Sequence, residues 1–105
     1  MRMLTTLAIT LCLCVAAAAE NPPELFKKTC SNCHGADGKG NTTAGQKMKI
    51  PDLASPEVQK LSDEAMFETI AYGQAHKQYP HAYVDRGVPP VAVRDLVKFI
   101  RTLKK

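Results

Sequence analysis

The sequence predicts an all-α protein built as one domain. Three observations carry this. Val93, Leu96, Val97 and Ile100 recur at helical spacing, and Met66, Phe67, Ile70 and Ala71 form a second such run. Each run opens on helix-start residues, Pro90 for one and Ser62 for the other. No stretch alternates apolar and polar residues as a half-buried strand would, and no internal repeat or second domain is visible in 105 residues.

Residues 1–19 read as a leader outside this fold. Met1-Arg2-Met3 is a short positive start, Leu4 to Val15 is uncharged and mostly apolar, and Ala16 to Ala19 supply small residues for cleavage. That is a secretory signal peptide, too short for a membrane span, with cleavage expected after Ala19. A lipid anchor on Cys12 or Cys14 would need a small residue just ahead of it, and Leu11 and Leu13 are not small. The domain proper is then 20–105, with a periplasmic or secreted location and no membrane span. Without Arg2 it keeps thirteen of the fourteen Lys and Arg against ten Asp and Glu, a mildly basic balance. It lacks Trp and has only three Phe and three Tyr. So short a domain often recruits a metal or cofactor to complete its core.

The helices follow in order. Asn21 is a good N-cap, Pro22 fits the first helical position and Glu24 stands where a capping box needs it, so a helix should run to about Cys30. "GADGKGN", residues 35–41, is a turn-rich loop, and an irregular stretch is expected through "KMKIPDL". Ser55-Pro56 starts a short helical turn. Ser62 caps a longer helix with Asp63 and Glu64 in its first turn, and Gly73 ends it. The last helix begins near Pro90 and carries Lys98, Arg101, Lys104 and Lys105 toward its C-terminal end.

The chemistry is concentrated in "CSNCH", residues 30–34. Two thiols three positions apart lie on one side of a helical turn. Each can add across a vinyl group of one haem, and His34 then reaches the iron from the same side. Cys-x-x-Cys-His is the attachment signature of c-type haem, and an exported chain is its ordinary context. Two other readings stay open. A redox-active dithiol is one, although the alternating strands and helices of a thioredoxin-like protein are missing. A zinc site using Cys30, Cys33, His76 and His81 is the other, although the gap between its halves far exceeds zinc-finger spacing.

After the leader the chain resembles small bacterial class I c-type cytochromes over nearly its whole length. The shared features are "CSNCHGADGKG", the loop proline in "KIPDL", the helix "LSDEAMFETIAYG" and a closing helix ending "LVKFIRTL". The resemblance implies a cytochrome c-like fold of three main helices and loops around one covalent haem c. It implies that Phe26 and the final helix cross near the haem edge. It further implies that the carbonyl of Pro51 accepts a hydrogen bond from His34, which would orient the ring and raise its basicity.

The family also places a methionine on the far face of the iron, ahead of Pro-Ala and an aromatic residue. This chain has no methionine after Met66. Met66 reads as a core residue, and Met48 lies in the wrong loop for the family. Counting back from Ile100 by the family's separation reaches His81, which precedes Ala82-Tyr83. Counting forward from Gly73 reaches a point near His76. His81 is therefore the expected second ligand and His76 the alternative. Tyr79 also precedes a proline, but a phenol with a pKa near ~10 is a poor ligand for ferrous iron.

Iron held on both faces has no open position for a substrate. The expected function is therefore single-electron transfer between redox proteins, not enzymatic catalysis. Lys27, Lys28, Lys39, Lys47, Lys49 and Lys77 flank the haem-bearing segments and would favour partners with acidic docking patches. An open far face would instead make the protein a five-coordinate sensor or weak peroxidase. A haem subunit of a larger dehydrogenase is a third reading. The modest charge carries no aromatic interleaving, so nucleic-acid binding is not expected.

Overall fold

The structure, a computed structural model, describes residues 21–74 and 81–104. The expected leader and His76 lie outside the described residues. Among those residues there are six helices and no strand, in keeping with the all-α class that the hydrophobic pattern predicted. They are α1 (Pro22–Thr29), α2 (Ser31–His34), α3 (Thr43–Met48), α4 (Pro56–Gln59), α5 (Asp63–Tyr72) and α6 (Pro90–Thr102).

Local chemistry explains the ends of α5. Ser62 Oγ accepts a hydrogen bond from the Ala65 N–H at 3.0 Å, and Gly73 closes the helix at φ 76°, in the left-handed region that favours glycine. Ser55 caps α4 in the same way, accepting from the Val58 N–H at 3.4 Å. Asn21 departs from expectation. It occupies the N-cap of α1, but its side chain makes no capping hydrogen bond. Pro22 and Pro23 have no N–H, so two of the donors a cap would satisfy are already gone.

Helices α1 and α5 both pack on α6. Val93, Leu96, Val97 and Ile100 form the buried stripe of α6, and Met66, Phe67 and Ala71 that of α5. Phe26 is 2% exposed and meets Phe99 at 5.0 Å between ring centroids. Burying one such side chain contributes about 1.5–3 kcal/mol.

A polar clasp joins α6 to the segment ahead of α5. Arg101 donates to the carbonyl of Gln59 at 2.6 Å and to the carbonyl of Leu61, and it pairs with Asp63 at 2.8 Å. Gln59 Nε2 donates in turn to the carbonyls of Leu53 and Ile100, at 2.7 and 3.0 Å. The sequence placed Arg101 only as a helix-end cation. Its larger role lies in carbonyls some forty residues away.

Helix α3 is a second departure, because an irregular stretch was expected there. Thr42 caps it, accepting from the Gly45 N–H at 2.8 Å, and the same hydroxyl donates to the carbonyl of Cys33 at 2.6 Å. Gly45 is what lets α3 approach. A Cβ built on it would lie 2.6 Å from the Cys33 carbonyl oxygen and closer still to that of Gly40. The helix is hidden in the sequence because glycine at its centre weakens its propensity and no apolar stripe marks it.

Two substitutions test these contacts. Gly45→Ala gains up to about 1 kcal/mol of helix propensity. It then meets backbone that cannot step aside, at a cost of about 1–3 kcal/mol or more. The urea midpoint should therefore fall. An unchanged or raised midpoint would show that the approach is not tight. Arg101→Ala should cost about 1–2 kcal/mol, discounted for partial exposure of the guanidinium. Lys98→Ala, whose pairing with Asp95 spans 3.8 Å at an exposed site, should move the midpoint by less than about 0.5 kcal/mol. Equal effects would deny the clasp any special role.

Candidate functional site

The site begins at the break between α1 and α2. Cys30 keeps a right-handed conformation at φ −115° and ψ −29°, and its carbonyl accepts from the N–H of Cys33 at 3.2 Å and of His34 at 2.9 Å. One turn thus gathers Cys30, Cys33 and His34. The Thr29 hydroxyl lies 3.3 Å from Cys30 Sγ. Burial pushes the Cys30 thiol above its ordinary pKa. The neighbouring Cys33 adds to that rise, and contact with Thr29 partly offsets it. The thiol stays protonated at neutral pH, as suits apolar surroundings.

Opposite this turn stands the segment after residue 80. The backbone N–H groups of Tyr83 and Val84 donate to the carbonyls of Ile70 and Ala71, at 3.0 and 3.2 Å, and tie the segment to the end of α5. Ala82 sits at φ 45°, a left-handed conformation that costs a non-glycine residue roughly 1–2 kcal/mol. Such strain persists where surrounding contacts over-determine the backbone.

The two sides meet at His34 and His81. Their ring centroids are 6.1 Å apart and their planes lie 18° from parallel. Nδ1 of both rings is buried. The imidazole lone pair lies in the ring plane, so two rings sharing one metal atom meet it end-on, with bonds of about 2 Å and centroids roughly 6 Å apart. The observed separation fits a single metal atom between them.

The rings stand in a crevice with two lobes. The first encloses about 740 Å³ of space between protein atoms, part of it open to solvent, against Phe26, Leu53, Met66, Ile70 and Ile100. The second encloses about 640 Å³ against Thr29, Asn32, Met48, Ile50 and Tyr83. Cys30, His34 and His81 border both lobes. A wide, largely apolar crevice with two thiols and one imidazole on one wall and a second imidazole across it fits a flat macrocycle carrying a central metal. Among the described residues no group of three or more His, Cys, Asp or Glu is arranged to hold a metal ion alone.

Every predicted site residue within the described segments borders this crevice. Cys33 lines the second lobe and Pro51 the first. Met48 and Met66 line opposite lobes, and Met66 is also buried in the core, as its helical position suggested. His76, Lys77 and Tyr79 lie outside the described residues. Thr42, Gly45 and Tyr83 escaped the sequence reading as parts of the site. Thr42 directly before a helical run was a usable capping signal. The donation of the Tyr83 hydroxyl to the Thr29 carbonyl at 3.0 Å spans 54 positions and left no local trace.

Comparison with known proteins agrees with this geometry. The cytochrome c family pattern matches residues 19–104. A solved structure described as "KustC0563 c-type cytochrome" superposes with a TM-score of 0.67 at 31% sequence identity, covering 81% of this chain and 99% of that one. Among curated proteins no relative matches. Helices, Cys-x-x-Cys-His turn, apolar crevice and family match converge on one conclusion: the chain belongs to the cytochrome c family, as a small class I c-type cytochrome with an all-α fold.

Proposed function

We propose that the protein is an exported monohaem cytochrome carrying single electrons between redox proteins, with its one haem c linked through Cys30 and Cys33 and held by His34 and His81. The observation that carries this reading is the pair of nearly parallel imidazoles 6.1 Å apart across the apolar crevice. The family supports a haem-binding electron carrier. When bound, the haem supplies a one-electron iron couple.

The chain's own residues do the rest. Cys30 and Cys33 anchor one edge from a single turn. With haem bound, His34 and His81 would be its two protein ligands, an arrangement that suits electron transfer rather than substrate chemistry. Pro51 borders the same lobe as His34, and its carbonyl is the proposed acceptor that would orient that ring. Phe26, Leu53 and Ile100 give the first lobe an apolar lining that would exclude water beside a bound haem. Lys27, Lys28, Lys39, Lys47 and Lys49 are exposed and would steer the protein toward acidic redox partners, with on-rates that fall as salt rises. The short positive start, the uncharged stretch from Leu4 to Val15 and the small residues Ala16 to Ala19 support reading 1–19 as a leader and a periplasmic or secreted site of action. No helix of the described residues is long and apolar enough to cross a membrane.

Haem staining after denaturing electrophoresis should mark the chain, and acid acetone should fail to extract the colour. Cys30→Ser or Cys33→Ser should lose most holoprotein. Loss of haem from the wild type under these conditions would contradict covalent attachment. The reduction potential should lie below that of His/Met relatives, because a thioether ligand raises it. A potential in the His/Met range would return the far position to Met48. His81→Ala should turn the oxidised iron high-spin while His76→Ala stays low-spin. The reverse pattern would exchange their roles.

A further inference from the structure

We propose that Tyr83 is the latch that holds the far side of the crevice closed, a positioning residue that acts on His81 by tying its segment to the turn bearing Cys30. The inference rests on the reading of His81 as an iron ligand.

Tyr83 joins both walls of the crevice. Its hydroxyl donates to the carbonyl of Thr29 at 3.0 Å, and Thr29 immediately precedes the first thiol. Its ring lies 6.0 Å from that of His81, tilted by 42°. The Arg86 guanidinium stands 5.2 Å from its ring centroid, within cation–π range. Its backbone is fixed as well, donating to Ile70 and accepting from the N–H groups of Arg86 and Val88, each at 3.0 Å. Ala82, between His81 and Tyr83, takes the left-handed conformation, and these contacts on its C-terminal side help hold it there.

This arrangement makes closure a two-part contact. His81 can leave the crevice by rotating its own ring, or its segment can swing away as a unit. The second route must break the Tyr83–Thr29 hydrogen bond. If the segment moves as a unit, that bond contributes to the closed population, and deleting the hydroxyl raises the open fraction by the bond's full worth. If the ring turns alone, the hydroxyl is irrelevant to opening. Other hydrogen bonds of the fold stabilise without joining the two walls, so the two roles separate experimentally.

The test uses the holoprotein in three forms: wild type, Tyr83→Phe and Ser62→Ala. Tyr83→Phe keeps the ring and removes only the hydroxyl. Ser62→Ala removes the cap at the opposite end of α5, about two turns from the Ile70 and Ala71 carbonyls that hold the far wall. Carbon monoxide uptake by the reduced protein reports opening of the far side, and thermal melting reports general stability. We expect both variants to lower Tm by similar amounts. Only Tyr83→Phe should speed uptake, by about fivefold or more, the change one hydrogen bond of ordinary worth produces. Wild-type uptake in Tyr83→Phe would overturn the latch, as would equal acceleration in Ser62→Ala. The electron paramagnetic resonance spectrum of the oxidised wild type separates the two levels. A low-spin bis-imidazole signal leaves the ligand reading standing whatever Tyr83→Phe does. Its absence would overturn that reading and the latch with it.

Discussion

The structure depends on holding two imidazoles at one separation across an apolar crevice. A few ångströms of drift in either ring would remove the fit to a single metal atom. Neither ring stands on a long, rigid helix. His34 ends a four-residue helix, and His81 lies in a loop. The precision therefore comes from the contacts beneath each of them.

On the near side the support is backbone packed on backbone. Thr42 fixes the Cys33 carbonyl, the Gly40 N–H donates to the His34 carbonyl at 2.7 Å, and Gly45 lets α3 lie directly against the turn. On the far side the support comes from the end of α5, through the carbonyls of Ile70 and Ala71. Helix α6 links the two halves by packing on both α1 and α5. The hydrophobic core thus sets the distance between two walls as well as stabilising the chain. Phe26, Met66 and Ile100 serve both ends, being buried in the core and bordering the crevice.

How much of this was legible follows from the range of each interaction. Helices α5 and α6 were readable because their apolar stripes and end signals lie within the elements themselves. The Cys30–His34 turn was readable for the same reason, since its chemistry fits in five consecutive residues. Asn21 misled because a good capping residue was followed by two prolines that leave little to cap. Helix α3 was missed because it is held by the carbonyls of Gly40 and Cys33 and lacks an apolar face. His81 was reachable only by counting from the closing helix in a family register. The contacts that fix its segment, from Thr29, Ile70 and Ala71, lie between 13 and 54 positions from their partners and leave no periodic signal.

The central proposal is that His34 and His81, and neither Met48 nor Met66, would supply the protein ligands of one iron, although both methionines border the crevice. X-ray absorption at the iron K-edge of the oxidised holoprotein tests this most directly. The account predicts a six-coordinate first shell made only of nitrogen, at about 2 Å. A sulfur scatterer in that shell, or a five-coordinate iron, would contradict it.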